Sequence, residues 1–145
     1  MTKSLKAQEA FKAGFSCSQA VLTAFSSGLG LQEDVSNRIA CGFGGGIARR
    51  SLTCGAVSGA FMVIGLKYGK IKIDDNEAKE TTYAKVNEFC RQFEEQYGSI
   101  NCGELLCCDL STKEGQKKFK DNDLFNIKCM KYVNTACEIL ESMGF

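Results

Sequence analysis

The chain contains no histidine and no proline. Without histidine there is no Ser-His-Asp triad, no Cys-His thiol pair and no imidazole ligand, so any metal must be held mainly by thiolates or carboxylates. Without proline, nothing removes a backbone donor from a helix interior. A charge excess is missing too: 18 Lys plus Arg face 17 Asp plus Glu, a net charge of +1. That leaves no long-range field to recruit nucleic acid or an anionic membrane, and neither is expected as a partner. Long apolar runs are also absent. The longest, AFMVIGL at Ala60–Leu66, falls far short of a bilayer span, and the opening MTKSLKAQEAFKAG has no apolar signal core. The expectation is a soluble cytoplasmic protein with no membrane insertion.

What the chain has in excess is sulfur, with nine cysteines in 145 residues. In a reducing compartment such a set reads as metal ligands or redox groups rather than permanent disulfides, and an odd count excludes complete internal pairing. The length suits one domain, residues 1–145, able to bury a core without covalent staples.

Apolar residues recur at spacings of three and four, which predicts an all-α, single-domain helical bundle of about six to eight helices with a buried central helix. Helices are expected over Ser4–Ala13, Cys17–Gly28, Glu33–Cys41, from Cys54 onward, Asp75–Tyr97, Cys102–Leu110, Thr112–Phe119 and Ile127–Ser142. The one beginning at Cys54 carries apolar residues on most sides and is the candidate centre. Gly55 and Gly59, one turn apart on it, admit a close neighbour. Only KIKID, Lys70–Asp74, suggests extended chain. The fifth helix should turn Val86, Cys90, Phe93 and Tyr97 inward, and the last Met130, Val133, Cys137 and Leu140.

The cysteines sort by position relative to helix starts. SCSQ places Ser16 at the N-cap, Gln19 at N3 and Cys17 at N1; TCGA places Thr53 at the cap and Cys54 at N1; NCGE repeats the pattern with Asn101, Cys102 and Glu104. NIKC offers Asn126 as a cap and puts Cys129 at N3. A helix amino terminus carries unpaired N–H groups and about half a unit of positive charge, which favours the thiolate needed for ligation or redox work. The alternative is that cysteine is merely a small residue tolerated near a cap. Cys90 and Cys137 lie on apolar stripes and read as inert core thiols. The adjacent Cys107 and Cys108 could trap a soft metal or simply pack, and Cys41 is a candidate accessory thiol.

GFGGG, Gly42–Gly46, lacks the lysine and hydroxyl of a phosphate loop and the third glycine of a dinucleotide fingerprint. It is either a tight turn between helices or a set of N–H donors, from Gly44, Gly45 and Gly46 together with Gly55, lining a cofactor at the thiolate site. Arg49 and Arg50 would offset negative charge there or remain solvated.

The segments GFSCSQAVL, GFGGGIARRSLTCGAVSGAFMVIGL, GSINCGELL and KCMKYVNTACEIL together resemble the bacterial and archaeal redox-active family named for its C-GCAxxG-C-C pattern. The likeness spans nearly the whole chain, and the family's four characteristic cysteines fall on Cys17, Cys54, Cys102 and Cys129. Thr53-Cys54-Gly55-Ala56 departs from the Gly-Cys-Ala of that pattern, and Cys41, Cys90, Cys107, Cys108 and Cys137 lie outside it. The resemblance implies redox work; related domains occur fused to cytochromes with an iron-sulfur cluster.

Three expectations follow for the four cysteines. They converge on a 2Fe-2S or 4Fe-4S cluster and exchange electrons with a redox partner protein, although the long gaps between them are unlike the clustered ligands of ferredoxins. Or they act without metal as redox thiols, catalysing exchange or sensing potential through a reversible disulfide. Or they hold a structural zinc in an interaction module. The oligomeric state is left open.

Overall fold

The computed structural model describes all 145 residues, and its regular structure is helical. Helix α1 (Lys3–Ala13) starts where Thr2 Oγ1 accepts the Leu5 N–H at 3.0 Å and stops at Gly14, φ 117°. Helix α2 (Cys17–Ser26) opens with the expected capping box: Ser16 Oγ accepts the Gln19 N–H at 3.3 Å, and the Ser16 N–H donates to Gln19 Oε1 at 2.9 Å. A single 3-10 turn, Ser27–Leu29, leads to α3 (Glu33–Ala40).

Helix α4 (Gly55–Tyr68) is the centre. Gly55 through Ala60 are all buried, and Val63 and Ile64 have no exposed surface. It packs most extensively on α2, and also against α5 (Asn76–Tyr97) and α8 (Met130–Ser142), while α1 lies across α2 and α8. The α2–α4 approach is close because Gly59 has no side chain: a Cβ there would stand 2.8 Å from the Ser18 carbonyl and 3.2 Å from Val21 Cβ. On α2's other side, Ser18 Oγ donates to the Ala40 carbonyl at 2.8 Å, tying the helix to the end of α3.

Short helices α6 (Cys102–Leu106) and α7 (Lys113–Asp121) complete the order, and a π turn, Phe125–Cys129, runs into α8. The chain before α4 pairs with the chain before α6. An antiparallel bridge joins Thr53 to Asn101, the Cys54 N–H donates to the Ile100 carbonyl at 2.8 Å, and the Cys102 N–H donates to the Leu52 carbonyl at 2.6 Å. This clip holds the starts of α4 and α6 side by side.

Several expectations are corrected. Lys70–Asp74 forms no strand; Ile71 and Ile73 alternate there but are almost fully exposed with nothing to pair against. On α5 the fully buried side chains are Phe89 and Phe93, with Cys90 only half-buried. Helix α6 stops four residues early, at a left-handed Cys107, and α7 is capped by Thr112, whose Oγ1 accepts the Gly115 N–H at 2.9 Å. No helix is long and apolar enough to cross a membrane.

The glycines on α4 give a paired test. Gly59→Ala forces α2 away and should cost about 1–3 kcal/mol, read as a lower urea midpoint. Gly65→Ala, with nothing within 4 Å of its Cβ, should be neutral or raise stability by up to about 1 kcal/mol. Equal effects at the two sites would refute the close-approach account.

Candidate functional site

Five cysteines line one cavity of about 860 Å³: Cys17, Cys54, Cys102 and Cys129 from four separate elements, and Cys41 at its exposed side. Cys17 is the first residue of α2 and Cys102 the first of α6, as the capping patterns predict. Cys54 differs, because Thr53 is drawn into the bridge with Asn101 and Cys54 itself becomes the N-cap of α4. Asn101 does not cap α6 with its side chain; its Nδ2 donates to Glu104 Oε1 at 3.2 Å. Cys129 departs furthest. Helical backbone already runs from Leu124, so Cys129 closes a π turn rather than occupying a first turn, and Asn126 Nδ2 donates to Asp123 Oδ1 at 2.9 Å. Such π segments recur at functional sites.

The glycine cluster is not a right-handed helix. Gly45, Gly46, Ile47, Ala48 and Arg49 all have φ between 50° and 69°, one turn of left-handed backbone. It is held by the Ala48 N–H on the Gly42 carbonyl at 3.0 Å and the Leu52 N–H on the Gly46 carbonyl at 2.9 Å. Contacts explain the glycines. A Cβ on Gly44 would lie 2.7 Å from Ser16 Cβ, and one on Gly46 would lie 2.7 Å from Cys102 Cβ, while one on Gly55 would collide with Cys17 Sγ. Gly44, Gly45 and Gly55 line the cavity; Gly46 is buried behind Cys102.

Electrostatically, burial beats the helix ends. It pushes up the Cys17 thiol, opposed by backbone N–H groups of Gly45, Ser18 and Ala56. It pushes Cys54 up further, with Cys17 adding to the rise and the N–H groups of Ala56 and Val57 opposing it. Burial, then Cys17 and Cys108, lift Cys102 to about 12, and burial with the neighbouring thiols raises Cys129 as well. The depressed thiols expected at helix starts are therefore not found. Arg49, the arginine on the cavity wall, is exposed.

No three His, Cys, Asp or Glu side chains gather closely enough to hold a single metal ion. All nine cysteines are free thiols. Cys41 is an exposed residue of the same cavity, Cys137 is fully buried in the core, and Arg50 faces a separate surface pocket. Sequence reasoning missed Tyr132, which lines the cavity, donates its hydroxyl to the Leu105 carbonyl at 3.0 Å, and is pushed up to about 12 by burial and then Cys129. Its spacing of three from Cys129 on one helix was the available signal.

A family model described as "Putative redox-active protein (C_GCAxxG_C_C)" matches residues 15–143. An uncharacterised protein of Archaeoglobus fulgidus is 33% identical over 118 residues, covering 77% of this chain and 71% of that relative. No solved structure matches.

The raised thiols predict a pH-dependent stability. A thiol of unfolded pKa near about 8.5 that is raised on folding keeps its proton in the folded state, so its stabilisation is complete below that value and is lost as pH rises through the folded one. Metal-free protein should show a level urea midpoint from about pH 6 to 8 and a falling one from about pH 8.5 upward. A midpoint that stays level to about pH 10 would refute it.

Proposed function

Since the chain belongs to the C_GCAxxG_C_C family, we propose that Cys17, Cys54, Cys102 and Cys129 hold an iron-sulfur cluster and that the protein passes single electrons to and from a redox partner protein. The observation that carries the reading is the placement of Cys17, Cys54, Cys102 and Cys129, from four separate elements, around one cavity. A lone zinc needs all four sulfurs about 2.3 Å from one centre. In a multi-iron cluster the thiolates bind different irons, so their sulfurs stand further apart.

When bound, a cluster supplies a one-electron couple whose potential follows its charge, solvent exposure and hydrogen bonds to sulfur. The chain's own residues set those terms. The four cysteines give up their protons on ligation, which removes the desolvation penalty of burying free thiolates. N–H groups of Gly45, Ser18 and Ala56 are aimed at Cys17, and those of Ala56 and Val57 at Cys54, where they would hydrogen-bond a ligating sulfur. The starts of α2, α4 and α6 bring three positive helix ends toward the anionic site. Leu105, Leu106 and Leu110 line the cavity and limit water there.

A metal-free exchange mechanism at these four positions would need a stabilised thiolate, which their burial disfavours. Anaerobic reconstitution decides between the readings. Wild type should take up iron and sulfide with broad visible absorption. Cys54→Ser and Cys102→Ser should lose most of both, and Cys137→Ser, away from the cavity, should load normally. Colourless, iron-free wild type after reconstitution would overturn the proposal.

A further inference from the structure

The cavity extends beyond its sulfurs. At about 860 Å³ it falls within the range of sites that take small organic molecules, about 300–1,000 Å³. Burial divides its lining into two ends. Cys54, Cys102, Leu105 and Leu106 are buried, whereas Phe15, Arg49, Gln116 and Lys120 are exposed and form the mouth.

The walls behind the mouth are aromatic. Phe11 and Phe125 stack with ring centroids 4.0 Å apart and planes 12° apart. Phe119 and Phe125 are half-buried and Phe15 is exposed, so phenyl surface from three separate elements is left accessible on the cavity wall.

One side of the mouth is cationic. A Cβ on Gly45 would lie 3.2 Å from Arg49 Cγ and 3.8 Å from Leu110 Cδ1, which places the Arg49 stem beside Leu110. Gln116 Nε2 donates to the Leu110 carbonyl at 2.9 Å, and Lys120 follows Gln116 by one turn on the same face of α7. Arg49, Gln116 and Lys120 therefore stand together. The chain's one ion pair is Arg91–Glu95, so neither Arg49 nor Lys120 is matched by a carboxylate. Asp123 is the one carboxylate on the cavity wall, and its Oδ1 already accepts from Asn126 Nδ2. Arg49 and Lys120 against Asp123 leave a single positive charge over. Arg49 also holds left-handed backbone, φ 65°, a conformation that recurs where a ligand is clamped.

We propose that the mouth of this cavity binds a small aromatic monocarboxylate, its ring among Phe15, Phe119 and Phe125 and its carboxylate on Arg49 and Lys120. Each part selects for a feature of that class. Phenyl walls take a ring edge-to-face or offset-stacked. The guanidinium presents paired donors to a carboxylate, and the ammonium adds a point charge. The single excess charge matches one carboxylate rather than a dianion. The site goes beyond the cluster reading and does not depend on it, because it uses none of Cys17, Cys54, Cys102 and Cys129.

The test titrates the full chain with 2-naphthoate, whose fluorescence is unobscured in a protein without tryptophan. Wild type should bind one equivalent with a dissociation constant below about 1 mM. The uncharged analogue 2-naphthalenemethanol should bind at least about tenfold more weakly. Arg49→Gln and Lys120→Gln should each weaken the acid about fivefold and leave the alcohol unchanged, a split that general damage to the fold would not produce. Asp123→Asn keeps the acceptor for Asn126 and tolerates left-handed backbone, so it should tighten the acid about twofold. Arg50→Gln, at a separate pocket, should change nothing.

Wild type that stays unsaturated at several millimolar, an alcohol that binds as well as the acid, or unchanged affinity in both Arg49→Gln and Lys120→Gln overturns the proposal. Tighter binding of 2-naphthyl phosphate overturns the choice of a carboxylate. After iron loading, the same titration should return the same constant; binding lost on loading would place the acid among the sulfurs and overturn the mouth as its site. Naphthoate binding by a chain that takes up no iron sinks the cluster reading alone, and iron uptake without naphthoate binding sinks this proposal alone.

Discussion

The closeness of α2 to α4 is the constraint on which the rest depends. Gly55 faces Cys17 and Gly59 faces the Ser18 carbonyl, so two helices meet backbone to backbone at the point where each begins or nearly begins. Everything around the cavity accommodates that contact. Gly44 sits under Ser16 because no larger residue fits there, and the left-handed turn after it swings the chain behind Cys102. Left-handed backbone at Ile47, Ala48 and Arg49 costs about 1–2 kcal/mol per residue. The carbonyls of Gly42 and Gly46 hold the turn in place, so the strain is borne by contacts that also set the positions of Cys17 and Cys102.

Two physical effects compete at the sulfurs, and their magnitudes differ. A helix end offers about half a charge and typically 0.3–1 kcal/mol of stabilisation, whereas removing an ion from water costs several kcal/mol. Burial therefore wins at all four cysteines while they are free. The helix ends matter in a different state. Were the proposed cluster bound, N–H groups already aimed at Cys17 and Cys54 would become donors to anionic sulfur. A site of this kind is indifferent to protons only when loaded.

Local signals were legible in proportion to how local their causes are. The Ser16–Gln19 capping box lies within four residues, and it placed Cys17 correctly. The stripe of α4 is so continuous that its central position could be read directly from the apolar residues. Cys54 was read one position off because Thr53 answers to Asn101, far along the chain, rather than to its own helix. Cys129 was misread because helical backbone already begins at Leu124, ahead of Asn126 and just after a left-handed Asp123 that no composition rule marks. The alternation in Lys70–Asp74 mimicked a strand, but a strand requires a partner and none is present. That Cys17, Cys54, Cys102 and Cys129 belong together was anticipated from their helix-start pattern and from the family resemblance; the shape of the cavity they line depends on long-range packing.

Cysteines drawn from four distant elements tie the cavity to the whole fold. In a motif with clustered cysteines, a short loop retains its ligands even when the rest of the chain is unfolded. Here the pairing of α2 with α4, the Thr53–Asn101 clip and the π turn before α8 must all form before the four sulfurs face one another. Binding free energy at such a site is shared by every element that builds it, so a ligand in the cavity would stabilise α5, which does not line it, together with the residues that do.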